Sequence, residues 1–229
     1  MRKTGFSWWI SRVEHLLTRV DHLRIDHFRG LVAFWEIPAG SETAVNGRWT
    51  PAPGDELILA LSRRFACLPV IAEDLGVITP DVSDLMRRFA IPGMKVLLFA
   101  FGDGMPTGPH IPHQYPPDCI VYTGTHDNNP VRGWYAAEAT ETEKVNLARY
   151  SGTQVTDGTV GEILIRLAMM SGARTAIIPI QDLLGLGEES RINRPGTESG
   201  NWRWRVLPGQ ISDELAGRMR EMAIISGRY

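Results

Sequence analysis

The chain has 229 residues and a formal net charge of −2. Its hydrophobic content of 43% and charged content of 22% are those of an ordinary globular domain with a sizeable core. The net charge and a pI near 6.3 give no basic footprint of a nucleic-acid-binding protein. The sequence has no apolar run of about 18 residues, so no membrane span is predicted, and it shows no signal-peptide pattern. We therefore expect a cytoplasmic protein with neither a nucleic-acid nor a membrane partner.

The two cysteines, Cys67 and Cys119, both lie in apolar stretches. This context predicts two buried thiols in a reducing compartment, with a disulfide as the less favoured alternative. No cysteine pair or His-x₃-His spacing indicates a metal site, and we expect no cofactor.

Helical and extended patterns alternate along most of the chain. Apolar residues at three- and four-residue spacing predict a first helix over residues 3–21. Further helices are predicted at 55–65, 80–89, 138–150, 160–170 and 212–225. Apolar runs predict strands at 23–28, 68–72, 94–101, 119–123 and 174–180. Polar, proline-rich and glycine-rich stretches predict loops at 38–54, 102–117 and 185–205, the first of them long enough to suggest a functional loop.

Two of the predicted helices carry start signals. Thr79 is expected to cap the third helix, with Pro80 in its first position and Asp81 near the positive end of its dipole. Ser212 is expected to cap the last helix.

Strands that are almost wholly apolar, alternating with helices, favour a parallel sheet buried on both faces. Polar residues gather where these strands end, at Asp26, Glu73, Asp127 and Asp182. Function at the carboxyl ends of successive strands is typical of a (β/α)8 TIM barrel. Only five strands are predicted, whereas a closed barrel needs eight. The expected fold is therefore α/β, a partial TIM barrel of about five parallel strands with helices.

The first strand carries Arg24 and Asp26 two residues apart, so both side chains point to one face. The guanidinium would keep Asp26 ionised, as a nucleophile or an electrostatic stabiliser. A plain buried ion pair is the alternative. Glu73 follows an apolar strand whose surround would raise its pKa and preserve a usable proton. A solvated pair with Asp74 is the alternative there.

His126 and Asp127 follow the fourth strand. The histidine can donate to a sugar hydroxyl, and the carboxylate can hold a substrate. The alternatives are a half-buried histidine and a turn-forming aspartate, and a metal site built on these polar groups also stays open. One ionised carboxylate, one protonated carboxyl and a third that holds the substrate are what retaining glycosyl transfer requires. The first two would lie about 5–5.5 Å apart.

Seven motifs occur in the same order as in the amylomaltases, which are the 4-α-glucanotransferases of the α-amylase superfamily. They are RIDHFRG (24–30), VNGRW (45–49), IAEDLGVITP (71–80), PGMKV (92–96), YTGTHDN (122–128), NRPGT (193–197) and GNWRW (200–204). The chain resembles that family along nearly its whole length. The resemblance implies that Asp26 is the nucleophile, Glu73 the general acid/base and Asp127 the transition-state stabiliser.

The resemblance also implies substrate-binding residues and a substrate class. Arg24 and His126 would orient and neutralise charge, and Asp103 and Asn193 match positions that hydrogen-bond glucose. Phe99 would pack near the acceptor, although a core position fits its sequence equally well. The substrates would be maltooligosaccharides and other α-1,4-glucans, with no metal or cofactor.

The chain departs from the family pattern in two ways. It resembles only the carboxyl-terminal half of family members, so residues 1–229 would form part of a catalytic barrel whose first strands and inserted subdomain are absent. The open sheet edges would then favour self-association or inactivity. Residues 129–134 read NPVRGW, where the family usually has an acidic residue and threonines. Pro130 and Arg132 are therefore expected to alter a loop lining the cleft.

Two other functions stay open at this point. A glucan hydrolase would use the same carboxylates and pass the glycosyl unit to water. A non-catalytic remnant would bind glucan through its tryptophans and surviving carboxylates without turnover.

Overall fold

The computed structural model describes residues 1–229 and divides into two units, Met1–Met94 and Lys95–Tyr229. Both units combine helices with short parallel strand pairs, which confirms the α/β class. The strands do not form one continuous sheet, since they are distributed over three small sheets. None of the helices is both long and apolar enough to cross a membrane.

The first unit contains three helices and four strands. The helices are α1 (Ser7–Leu17), α2 (Gly54–Arg64) and α3 (Pro80–Arg88), and the strands are β1 (Leu23–Ile25), β2 (Ala33–Glu36), β3 (Arg48–Pro51) and β4 (Val70–Ala72). Strands β1 and β4 pair in parallel, with Ile25 opposite Ala72. Phe28, Ile58 and Leu61 are fully buried in the core of this unit. The core therefore packs directly beneath the turn that follows β1.

An antiparallel pair, β2 and β3, was not predicted, and β3 lies within the predicted loop 38–54. Trp35 lies opposite Trp49 in the register, and their rings meet edge to face with centroids 5.4 Å apart. Glu36 and Arg48 form a further cross-strand pair at 2.8 Å. Such cross-strand contacts stabilise a strand pair whose residues show little alternation.

The second unit contains five helices and a three-stranded sheet, whose first strand begins with Gly93 and Met94 at the end of the first unit. The helices are α4 (Val131–Ala137), α5 (Glu141–Ser151), α6 (Val160–Met169), α7 (Ile180–Leu183) and α8 (Asp213–Ile225), and the strands are β5 (Gly93–Val96), β6 (Cys119–Tyr122) and β7 (Thr175–Ile177), in the order β5-β6-β7. Strands β6 and β7 are parallel, with Val121 opposite Ala176. Leu147 of α5 and Leu164 of α6 are fully buried.

Several predicted bounds are wrong for local reasons. The first helix begins only at Ser7, because Gly5 and Phe6 adopt left-handed backbone angles. The predicted strand 94–101 ends at Val96 and continues as a 3₁₀ turn. The predicted strand 174–180 ends at Ile177, since Pro179 precedes the short helix α7. Helix α4 was not predicted.

One predicted cap is confirmed and one is wrong. The Ser212 hydroxyl accepts the Leu215 N–H at 3.1 Å at the start of α8. Thr79 stands before α3 but caps no backbone group with its side chain, because its hydroxyl donates to the Asp81 carboxylate. That carboxylate accepts the Val82 N–H at 3.0 Å instead.

The cysteine prediction is half right. Cys119 is buried in β6, whereas Cys67 is exposed, and both thiols are free. Cys67 lies between α2 and β4, where the chain has left the helix, so its apolar neighbours in sequence do not enclose it.

Candidate active site

In the first unit, two predicted catalytic carboxylates leave the same end of one parallel strand pair. Ile25 and Ala72 are the last paired residues of β1 and β4. Asp26 directly follows Ile25, and Glu73 directly follows Ala72. The Glu73 N–H also donates to the Ile25 carbonyl at 2.9 Å. Parallel strands that end together place the next side chains at one edge, so Asp26 and Glu73 are neighbours at that edge.

Asp26 is ion-paired yet open to solvent. Its Oδ1 lies 2.7 Å from Nη2 of Arg24, and its side chain is 75% exposed against 28% for the arginine. The Nε of Arg24 also contacts the Met94 sulfur at 3.3 Å, which helps to fix the arginine side chain. A plain buried ion pair is therefore wrong for Asp26, whose carboxylate is accessible to a ligand.

Glu73 is held by backbone donors rather than by the apolar surround predicted from the sequence. Its Oε2 accepts the His27 N–H at 2.7 Å, and its Oε1 accepts the Leu75 N–H at 2.8 Å. The solvated pair with Asp74 is also wrong, because Asp74 accepts the Met94 N–H at 2.6 Å. Two backbone bonds fix the orientation of the Glu73 carboxylate.

His27 bends the chain so that this contact can form. Its φ of 46° lies in the left-handed region, which costs a non-glycine residue about 1 kcal/mol. The strained turn is held by the His27 N–H bond to the Glu73 side chain and by the Phe28 N–H bond to the Glu73 carbonyl at 3.0 Å. Sequence reasoning missed His27, since no glycine marks the position.

In the second unit, the structure brings together His126, Asp127 and Asn193. The Asn193 side-chain amide donates to Asp127 Oδ1 at 2.6 Å, and the Asn193 N–H donates to the His126 carbonyl at 3.2 Å. His126 Nε2 lies 3.5 Å from Asp127 Oδ1. The three residues were predicted separately and form one cluster, which we call the Asp127 cluster.

Asp127 does not form the turn in which it lies. Asn128 closes that turn, because its Oδ1 accepts both the N–H and the hydroxyl of Thr125 at 2.9 Å. The Asp127 side chain is 45% exposed and free to face a ligand. The metal alternative lacks support, as no three His, Cys, Asp or Glu side chains are grouped so as to hold an ion.

An exposed tryptophan flanks the Asp127 cluster. The Trp202 ring lies 5.3 Å from the His126 ring, tilted by 36°, and is 57% exposed. The backbone N–H of Trp202 donates to the Ile192 carbonyl at 2.7 Å. This bond joins Trp202 to the residue before Asn193. The sequence pattern included Trp202 in a motif but assigned it no role.

Arg191 binds the backbone of the Asp127 cluster, and no signal in the sequence indicated this role. Its Nη2 donates to the Asp127 carbonyl at 2.9 Å and its Nε to the Asn193 carbonyl at 3.0 Å. Its Nη1 lies 2.9 Å from Glu138. No local pattern could have found Arg191, because it is 64 positions from Asp127.

Two other predicted ligand-binding residues lie outside the Asp127 cluster. Phe99 is 50% exposed, with its ring edge to face with that of His110 at 5.5 Å, so the core alternative is wrong. Asp103 is exposed on the loop that follows. No hydrogen bond joins either side chain to His126, Asp127 or Asn193.

The fourth carboxylate predicted at a strand end, Asp182, lies within helix α7 and has a structural role. It is 4% exposed and accepts the Thr123 hydroxyl at 2.5 Å and the Val131 N–H at 2.8 Å. Burial raises the pKa of Asp182, and these two hydrogen bonds oppose the shift. The side chain therefore joins the end of β6 to the start of α4.

The two residues of the unusual 129–134 segment have different surroundings. Pro130 lines a cavity of about 280 Å³ together with His126 and Asn128. Arg132 pairs with Asp157 at 2.8 Å and lines a different cavity, of about 270 Å³, near α6 and α8. Arg132 Nη1 also donates to the Gly185 carbonyl at 3.2 Å, at the start of the predicted loop 185–205. The effect of the two residues on a loop lining the cleft stays a prediction.

Comparison with known proteins identifies consistent relatives. Residues 1–210 match the glycoside hydrolase 77 family model, described as 4-alpha-glucanotransferase. The "4-alpha-glucanotransferase" of Thermus thermophilus is 51% identical over 97% of this chain, and that of Synechocystis sp. is 46% identical over 100% of this chain. A solved structure, amylomaltase from Streptococcus agalactiae in complex with acarbose, superposes with a TM-score of 0.93 at 35% identity over 99% of the chain.

The relatives are longer than this chain. The matched region makes up 45% of the Thermus and Synechocystis proteins and 46% of the Streptococcus chain. The chain thus spans a little under half of the length of these proteins.

Proposed function

This chain belongs to the 4-alpha-glucanotransferase family, and on that premise we propose that it supplies the catalytic carboxylates of a retaining α-glucan transfer. The substrates are maltooligosaccharides and other α-1,4-glucans. A segment is cleaved from one glucan and joined to the 4-hydroxyl of another.

The first step forms a covalent intermediate on Asp26. The carboxylate attacks the anomeric carbon, the glycosidic bond breaks, and Glu73 delivers a proton to the departing oxygen. In the second step Glu73 takes the proton from the acceptor 4-hydroxyl, whose oxygen displaces Asp26. Each step transfers one proton and exchanges one C–O bond, so no metal or redox partner is needed.

One observation carries this assignment. The His27 N–H, directly after Asp26, donates to the Glu73 carboxylate at 2.7 Å, at the shared end of β1 and β4. The nucleophile and the acid/base are therefore fixed to one another through a single residue. This is consistent with the short carboxyl separation of retaining enzymes, about 5–5.5 Å.

The Asp127 cluster stabilises the transition state and binds the substrate in this reaction. Asp127 stabilises positive charge that develops at the anomeric carbon, while His126 and Asn193 bind sugar hydroxyls. Arg24 orients the Asp26 carboxylate through its 2.7 Å contact. Asp103 and Phe99 bind glucose units more distant from the reacting bond, for which their exposure leaves them available.

The fold belongs to the same proposal. We infer that residues 1–229 are the carboxyl-terminal part of a (β/α)8 barrel, with the remaining strands and an inserted subdomain outside the chain. The parallel pairs β1–β4 and β6–β7 and the superposition on the Streptococcus amylomaltase support this inference. If residues 1–229 were the whole polypeptide, its open sheet edges would favour self-association. A cytoplasmic location completes the proposal.

A chimera tests the function. This chain replaces the matching 45% of the Thermus thermophilus relative, and the products formed from maltotriose are separated. We expect glucose and longer oligomers without net new reducing ends, and the same assay on the chain alone should show no turnover. Net new reducing ends would identify a hydrolase. A folded chimera that binds acarbose but yields no product would identify a binding remnant, and either result contradicts the proposal.

A further inference from the structure

We propose that Arg191 is a positioning residue for the Asp127 cluster, and that Glu138 and Asn129 hold Arg191 in place. The inference rests on the proposed function of Asp127, because the residue being positioned must take part in the reaction.

Arg191 reaches three groups that no other side chain connects. Its Nη2 bonds the Asp127 carbonyl at 2.9 Å, its Nε bonds the Asn193 carbonyl at 3.0 Å, and its Nη1 bonds Glu138 at 2.9 Å. Its side chain is only 14% exposed. Arg191 thus fixes the backbones of both residues whose side chains meet in the 2.6 Å contact between Asn193 and Asp127.

Only arginine suits this position. The guanidinium presents five N–H groups in a rigid plane, so three acceptors in different directions are satisfied at once. A lysine ammonium is a single point on a flexible stem and cannot reach both carbonyls and the carboxylate together. Loss of the guanidinium would also leave two carbonyl oxygens without this donor.

Glu138 and Asn129 connect this arrangement to the segment that departs from the family pattern. Glu138 Oε1 accepts from both Arg191 and the Asn129 side-chain amide, at 2.9 and 3.0 Å. Asn129 is 1% exposed, and Gly133 makes room for it, since a Cβ there would lie 2.2 Å from Asn129 Oδ1. An ionised carboxylate at position 129 could not donate this hydrogen bond, whereas the Asn129 amide can. In this chain the amide therefore orients Glu138 toward Arg191.

The consequence for the reaction concerns orientation rather than substrate affinity. Asp127 acts on charge that develops in the transition state, so a displaced Asp127 lowers kcat more than it raises KM. Misplacement by about 1 Å costs on the order of 100-fold in rate.

The test compares Arg191→Met, Arg191→Lys and Glu138→Gln with a matched control, Arg228→Met. Arg228 also donates to backbone carbonyls, those of Met169, Ser171, Ala173 and Arg174, but touches no site residue. NMR of the 229-residue chain reports the Asn193 side-chain amide, and kinetics of the chimera give kcat and KM.

We expect Arg191→Met to shift the Asn193 amide signals and to lower kcat by about 10- to 100-fold, with KM changed less than about threefold. Arg191→Lys should recover only part of kcat. Glu138→Gln should give a smaller loss that is not additive with Arg191→Met, because both act in one network. Arg228→Met should lower thermal stability while leaving the Asn193 signals and kcat unchanged.

Unchanged Asn193 signals in both Arg191→Met and Glu138→Gln would overturn the inference. So would an equal fall in kcat for Arg228→Met, which would indicate a general loss of stability. If the unsubstituted chimera is inactive, the proposed function fails, and the Asn193 signals still decide whether Arg191 positions this residue.

Discussion

The two units hold their proposed catalytic carboxylates by different means. In the first unit, Glu73 is bound by the backbone N–H groups of His27 and Leu75. In the second, Asp127 is bound by the Asn193 side chain, and its own carbonyl is bound by Arg191, more than 60 positions away. One arrangement depends on the path of the chain, whereas the other depends on side chains brought from a distant loop.

This difference determines what substitution can disturb. A backbone donor survives almost any side-chain change, so the Glu73 environment should tolerate replacement of its neighbours. A side-chain donor is lost with a single substitution. The second unit should therefore be the more sensitive of the two to changes around its carboxylate.

The largest effect is expected from the carboxylates of the first unit themselves. In the chimera, Asp26→Asn should lower kcat on the order of 10⁴-fold or more, because the covalent intermediate cannot form. Glu73→Gln should cost about 10²- to 10⁴-fold through the lost proton transfer. Both variants should still bind acarbose. Maltotriose turnover within tenfold of the parent for either variant would contradict these roles.

A matched pair of substitutions tests the difference between the units directly. Asn193→Ala should lower kcat about 10- to 100-fold, since it removes the donor to Asp127. His27→Gly keeps the N–H that binds Glu73 and suits the left-handed φ of 46°. It should change kcat by less than about threefold and raise the free energy of unfolding by up to about 1 kcal/mol. The reverse order of sensitivity in kcat would sink the comparison.

Acid should weaken the second unit selectively through His110. Burial, with a smaller contribution from Lys95, lowers the pKa of His110 to about 4, and its Nδ1 accepts the Val96 N–H at 3.2 Å. The unfolded chain binds this proton near pH 6.5, so stability is complete above that pH and falls as the pH drops toward 4. We expect a loss of about 2 kcal/mol, reduced for partial exposure.

Hydrogen exchange can locate that loss. Protection in β5 and β6 should fall between pH 6.5 and 4, and His110→Gln, which can still accept from Val96, should reduce the fall. A pH profile identical in parent and variant would show that His110 does not control it.

The smallest expected effect concerns two helix starts, one in each unit. Ser212→Ala should cost about 1 kcal/mol, because it removes the hydroxyl that accepts the Leu215 N–H. Thr79→Ala should cost less, since the Thr79 hydroxyl caps no backbone group. Chemical denaturation of the two variants provides the comparison, and a larger loss for Thr79→Ala would show that this hydroxyl does cap α3.

Much of the fold and site could be predicted because the signals are local. In β1, β4 and β6, the carboxylate comes soon after the apolar run of its own strand in the sequence. The same holds for the Ser212 cap. The strand pair β2–β3 could not be predicted, because its stability comes from a Trp35–Trp49 contact across 14 positions.

The surroundings of two predicted carboxylates could not be predicted, because they depend on contacts between distant positions. Glu73 sits after an apolar strand, but its partners are backbone groups whose direction follows from the unusual angle at His27. Asp182 was predicted at a strand end just as Asp127 was, yet it lies in α7, is buried, and accepts hydrogen bonds from Thr123 and Val131. A predicted position at a strand end therefore does not by itself separate a ligand-facing carboxylate from a structural one.

The most direct test of the central claim is to trap the glycosyl group on the protein. With α-maltosyl fluoride, the Glu73→Gln chimera needs no acid for the first step and lacks the base for the second, so the intermediate should accumulate. Mass spectrometry should then find one maltosyl group on the peptide that contains Asp26, and none when Asp26→Asn is added. A maltosyl group on any other residue, or turnover of the fluoride with no adduct in either variant, would contradict the account.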